Sequence, residues 1–238
     1  MGYIKRHITV ETIYHVVNRG VDQRKIFLDE EDHFRFIHDL FEFNDTKPVN
    51  NLTYFFRKSP KFNDIARPYI SEERTVRELL VEILAFCMMP NHYHLLLKPR
   101  FDDGITKFMK KLNMGYAKYF NEKYERSGAL FQGRFKSIAV TNEPHFIYLP
   151  YYIHCNPLDL VAPEWRDHSL KNPGKAIKFL ETYRWSSYLD YLGKKNFPSV
   201  TQRDFLLEFF GGTDGYRRNF EEWIKGLELQ SIKDLLLE

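Results

Sequence analysis

Three clusters of residues in this chain could do chemistry. The tightest is His92-Tyr93-His94. On a strand, positions two apart face the same way. Both imidazoles would then point to one side, near enough to bind one divalent ion. Taken alone, the pair also reads as two unrelated histidines, one packed and one exposed. The second cluster is Tyr151-Tyr152-Ile153-His154-Cys155-Asn156-Pro157. On a helix, Tyr152 and Asn156 share a face, while Tyr151 points about 100° away. A tyrosine can act as a covalent nucleophile. Its phenol needs activation, and an adjacent metal can supply it. The Asn156 amide oxygen could be a third metal ligand. Alone, this cluster also reads as a core tyrosine and a helix-terminal asparagine before proline. The third cluster is GALFQGRFK, Gly128 to Lys136. Strand alternation would put Gln132, Arg134 and Lys136 on one side, where they could hold a phosphate backbone or form a solvated charged face.

These clusters need elements to position them. Ile8 to Val17 is rich in β-branched and aromatic residues and reads as a strand, ended by Asn18-Arg19-Gly20. Asp29 caps an expected helix through Phe43. Residues 44–75 hold Pro48, Pro60 and Pro68 and read as an irregular insertion. Leu79 to Met88 and His92 to Lys98 form an expected hairpin around Met89-Pro90-Asn91. A helix follows from Asp103 to Tyr124, then a strand from Leu130 to Val140. A last helix opens at Glu143-Pro144 and stops near Asn156-Pro157. This order predicts an α+β fold, an antiparallel sheet flanked by helices with ferredoxin-like character. Residues 1–160 form the expected catalytic unit. Residues 161–238 read as a helical extension packed on it.

Composition narrows the function classes. With 43% hydrophobic and 16% aromatic residues in 238, a packed core is expected rather than disorder. Most aromatics belong in that core, with a minority left to stack on bases. The net charge is only +3, but it is unevenly spread. From Lys98 to Lys136 there are ten basic residues, including Lys110 and Lys111, against four acids, so that stretch is +6 and the remainder −3. Such concentration suits a nucleic-acid face. Two separated cysteines give no disulfide scaffold or zinc ribbon. No leader-like or membrane-spanning run is visible, so a cytoplasmic setting is expected.

Together, MPNHYHLLL, GALFQGRFKS and YIHCNP resemble, in order and spacing, the REP-associated tyrosine transposases of the single-tyrosine HUH (insertion-sequence-200-like) superfamily. YHVVNRG and YRWSSYLDYLG resemble the same family, and the likeness spans roughly residues 8–193. The resemblance implies metal binding by His92 and His94 and nucleophilic attack by Tyr152. Asn156 stands where relatives carry a longer Gln. It implies a Mg²⁺ or Mn²⁺ ion and a 5′-phosphotyrosine intermediate. It also implies single-stranded or hairpin DNA of the repetitive extragenic palindrome type as partner. Arg19, Lys110, Lys111, Gln132, Arg134 and Lys136 are the expected DNA-holding residues. Monomer and homodimer both fit. Two other readings stay open: a metal phosphodiesterase using water, and a domesticated DNA-binding protein without cleavage.

Overall fold

The computed structural model describes residues 9–48, 76–167 and 169–226. Four strands form one antiparallel sheet: β1 (Tyr14–Arg19), β2 (Val81–Met89), β3 (His92–Pro99) and β4 (Lys136–Ala139), in the order β2-β3-β1-β4. Two helices complete the βαββαβ pattern, α1 (Glu30–Glu42) between β1 and β2, and α2 (Gly104–Lys123) between β3 and β4. The sheet is ferredoxin-like, as its sequence of elements predicts.

Alternation divides the sheet into two faces. One carries Tyr14, Val16, Ile83, Phe86, Met88, Tyr93, Leu95 and Leu97. These pack under α1 and α2 against Phe36, Leu40, Phe108, Leu112 and Tyr116. The other carries Ala85, Cys87, Met89 and Leu96 and is covered by α3 (Glu143–Cys155) and the later helices. Those are α4 (Pro173–Leu180), α5 (Tyr188–Tyr191), α6 (Asp204–Phe210) and α7 (Gly212–Gly226). From Ile83 to Met89, β2 is apolar on both faces because both are covered.

Local signals set the helices. Asp29 caps α1 through a capping box with Asp32. Asn142 accepts from the His145 backbone N–H to start α3, with Pro144 in the first turn. Asn44, within the expected insertion, is buried and clamps the entry to β2 through Leu80 and Val81. The remainder of that insertion, 49–75, lies outside the described residues.

Two strands differ from expectation. β1 begins at Tyr14 rather than Ile8 and continues through Asn18 and Arg19. Arg19 pairs with His92 and Val17 with His94, so partner availability overrides the breaker composition of Asn-Arg-Gly. The expected strand from Leu130 shrinks to Lys136–Ala139. Gly128 and Gly133 adopt φ of 85° and 156° and bend the chain before it. Gln132 and Arg134 therefore precede the strand, and only Lys136 lies on it. No helix among the described residues is long and apolar enough to cross a membrane.

Candidate active site

The histidine pair sits on β3, on the face turned toward α3, with ring centroids 4.9 Å apart. Tyr93 between them points to the opposite face, where it meets Phe36 and donates its hydroxyl to Asn113. Burial raises its phenol pKa, so it stays neutral. The Nδ1 of His92 lies 2.6 Å from the Asn91 amide oxygen. An oxygen of that type only accepts, so Nδ1 carries the proton and Nε2 keeps its lone pair. The Nδ1 of His94 lies 2.9 Å from Nε2 of His15, a buried histidine on the same face of β1. Both Nε2 atoms of the pair are buried.

This donor set fits a divalent ion. Two imidazoles project from one strand face, and an outer hydrogen bond at the Nδ1 of each orients its ring. Among the described residues, no group of three or more His, Cys, Asp or Glu side chains is placed to hold a metal ion. Further ligands would have to be amide, water or phosphate oxygens, which suit Mg²⁺ and Mn²⁺.

α3 brings Tyr152 to the pair. Its ring stands edge-on to His94 at 6.1 Å and to His15 at 6.2 Å between centroids. It is fully buried. The phenol oxygen accepts a hydrogen bond from Nη1 of Arg166 at 2.9 Å. Tyr151 turns the other way into Phe210, Tyr216, Phe220 and Trp223. Two adjacent tyrosines on one helix thus have separate surroundings, one at the histidines and one in the C-terminal core.

Asn156 follows Cys155 at the end of α3, at the start of a 3-10 turn through Leu160. Its amide nitrogen donates to the Tyr152 carbonyl at 2.9 Å, and its amide oxygen accepts from Nη2 of Arg166 at 3.1 Å. The oxygen expected on a metal is thus engaged by a guanidinium in this arrangement. His154 points away from the site. Its Nδ1 lies 2.6 Å from the Tyr216 hydroxyl and its Nε2 2.7 Å from the Ser187 hydroxyl. Burial lowers its pKa to about 3, so it is a neutral link between α3 and the C-terminal helices.

The expected DNA-holding residues divide. Arg19 pairs with His92 and Lys136 with Val17 in the sheet, so both lie on the histidine face. Gln132 and Arg134 are exposed in the loop whose backbone bonds to Arg19. Lys110 and Lys111 are on α2, which covers the other face of the sheet. Lys110 is exposed. The Lys111 ammonium instead holds the Asp45 and Lys47 carbonyls. Lys123, also in the basic stretch, is tied to Asp29 at 2.8 Å and Asp32 at 2.9 Å. The +6 of that stretch is thus partly offset by α1.

His15 and Arg166 were not singled out from sequence. His15 had a signal, since it lies in YHVVNRG, two residues before the strand position that pairs with His94. Arg166 had none, because a 3-10 turn, Pro163–Asp167, folds back across the end of α3.

Comparison with known proteins gives three findings. Residues 66–156 match the family model described as "Transposase IS200 like". No curated protein matches the chain. A solved structure described as "Structure of the REP associates tyrosine transposase bound to a REP hairpin" is similar at 15% identity and a TM-score of 0.49, over 84% of this chain and 90% of that one.

Proposed function

We propose, from the premise that this chain carries an IS200-like transposase domain, that it cuts and rejoins single-stranded DNA with Tyr152 as nucleophile. The observation that carries this reading is convergence within one chain. Imidazoles from β3 and a phenol from α3 face each other at 6.1 Å between ring centroids, although some sixty residues of sequence separate them.

His92 and His94 would hold a Mg²⁺ or Mn²⁺ ion, which when bound supplies charge to polarise a scissile phosphate. Asn91 and His15 orient the two rings. The Tyr152 oxygen forms a bond to phosphorus, and the bond from phosphorus to the 3′-oxygen breaks. Overall the phenol proton ends on that 3′-oxygen. The products are a 5′-phosphotyrosine and a 3′-hydroxyl, and the reverse reaction with another 3′-hydroxyl rejoins strands. Energy stays in the phosphodiester, so no nucleotide cofactor is required. Tyr152 is buried, so local opening must precede attack. The half-buried rim of His92, Asn91 and Arg19 offers an approach.

The resemblance of motifs supports hairpin DNA of the repetitive extragenic palindrome type as substrate. Arg19, Arg134 and Lys136 would lie along its backbone, beside the histidines. Lys110 and Lys111, on the helix behind the sheet, are no longer part of this surface.

The test is a covalent adduct. Incubation with end-labelled single-stranded hairpin oligonucleotides and Mn²⁺, followed by denaturation, is expected to leave label on the protein, and Tyr152→Phe to abolish it. An adduct that persists in Tyr152→Phe overturns the assignment. Cleavage without any adduct favours a hydrolase using water. Binding without cleavage in either metal favours a domesticated binding protein.

A further inference from the structure

The guanidinium of Arg166 occupies an unusual position. Four of its hydrogen bonds are directed at three groups. Nε and Nη2 grip the Asp159 carboxylate at 2.8 and 2.6 Å. Nη2 also reaches the Asn156 amide oxygen at 3.1 Å, and Nη1 reaches the Tyr152 phenol oxygen at 2.9 Å. Asp159 is itself fixed by the Trp165 indole N–H at 2.6 Å. The planar fork is therefore held at both ends, and one N–H is left pointing at the atom that would attack phosphorus. Arg rather than Lys suits this, because only a fork can bind a carboxylate bidentately and still aim a third bond.

Resting on the transesterase reading above, we infer that Arg166 is a catalytic residue that aims the Tyr152 oxygen and stabilises the negative charge that builds on it. The bond to a neutral phenol already has a charged donor. As the proton leaves, the acceptor becomes charged as well, and the contact strengthens into an ion pair. An interaction stronger near the transition state than in the ground state is one that accelerates a reaction. The guanidinium also takes one acceptor direction of the phenol oxygen. Once the oxygen–phosphorus bond forms, that oxygen is a poor acceptor. The Arg166 side chain is 27% exposed, so its Nη1 can pass to a non-bridging phosphate oxygen of the intermediate. No atom is gained or lost beyond the exchange already written, and the guanidinium keeps its protons throughout.

The inference gives the C-terminal segment a direct part in the chemistry. Arg166 lies beyond residue 156, where the matched family model ends.

The experiment measures single-turnover adduct formation with Mn²⁺ and a pool of end-labelled single-stranded oligonucleotides carrying hairpins with randomised flanks. Arg166→Ala is expected to lower the rate about 100-fold, the typical cost of removing one preorganised donor. DNA binding, read by anisotropy without metal, should stay within a few-fold. Arg166→Lys, which keeps the charge but not the fork, should fall between. Added guanidinium at low concentration should restore part of the Arg166→Ala rate, which a purely structural role would not allow. Should Arg166→Ala fail to fold by circular dichroism, Arg166→Lys and Arg166→Gln carry the test alone. Unchanged or faster adduct formation in folded Arg166 variants overturns the inference while leaving Tyr152 as nucleophile, and a faster rate would make Arg166 a latch. Absence of adduct in the wild type, with folding intact, overturns both readings together.

Discussion

His92 and His94 share a strand, but their outer partners come from different places: Asn91 from the hairpin turn and His15 from β1. An HxH motif is readable because period-two spacing is a property of strands. The partner of His94 is not readable, because it depends on register between β1 and β3. The same limit hid Arg166, whose bond to Tyr152 spans a bend in irregular chain. His154 shows the converse. It lies inside the most telling motif, yet it bonds away from the chemistry, to Tyr216 and Ser187. Its titration makes a prediction. The folded pKa, about 3 through burial, lies below the ordinary value near 6.5. Between those values the unfolded chain binds more protons, so the stability tied to this group is full above about pH 6.5 and declines as pH falls toward 3. From about pH 6.5 to pH 5 the decline is on the order of 1–2 kcal/mol. Urea unfolding at about pH 7.5 and about pH 5 measures it, and His154→Gln should flatten that difference. An equal slope in wild type and variant would assign the acid sensitivity to other groups.

The elements that carry the site were largely legible. α1 announces itself through apolar periodicity and the Asp29 cap, α2 through its apolar periodicity, α3 through Glu143-Pro144 at its start, and the β2–β3 hairpin through its Pro-Asn turn. Strand ends were less so, because β1 and β4 stop where partners and glycines dictate rather than where composition changes. Gly20 shows how such an end matters. Its N–H donates to the Asn91 carbonyl at 2.8 Å, joining the end of β1 to the turn that orients His92. A Cβ there would lie 2.2 Å from the Arg24 carbonyl oxygen. That contact is with backbone, so relief requires moving the chain. Gly20→Ala is expected to cost about 1–3 kcal/mol by overpacking. It should also slow adduct formation by displacing Asn91. Chemical denaturation and single-turnover assays read the two effects. A variant of wild-type stability would show that the turn after β1 can shift without strain.

At the scale of the molecule, the sequence suggested a catalytic unit ending near residue 160 with a helical extension packed on it. One core holds Leu84, Cys87 and Leu96 of the sheet, Leu149 and Tyr151 of α3, and Trp165, Tyr191, Phe210, Tyr216 and Phe220 of the later chain. The Met88 backbone N–H donates to the Trp185 carbonyl, and the hydroxyls of Tyr183 and Tyr191 bond the Met88 and Leu84 carbonyls. A fragment ending at Leu160 would bare a broad apolar face and leave those carbonyls without their present donors. It would also leave Asp159 and the Tyr152 oxygen without Arg166. Each large side chain uncovered forfeits about 1.5–3 kcal/mol, and several together exceed the ordinary stability of a domain, about 5–15 kcal/mol. The fragment of residues 1–160 is therefore expected to keep far-ultraviolet circular dichroism but lose near-ultraviolet signal and bind a hydrophobic dye. The full chain should unfold in one cooperative step. If the fragment instead shows native near-ultraviolet signal and forms the adduct at the full-chain rate, the later helices are a separate unit. Arg166 would then have no part in the chemistry. The fragment experiment thus tests from the whole molecule what the Arg166 variants test from one side chain.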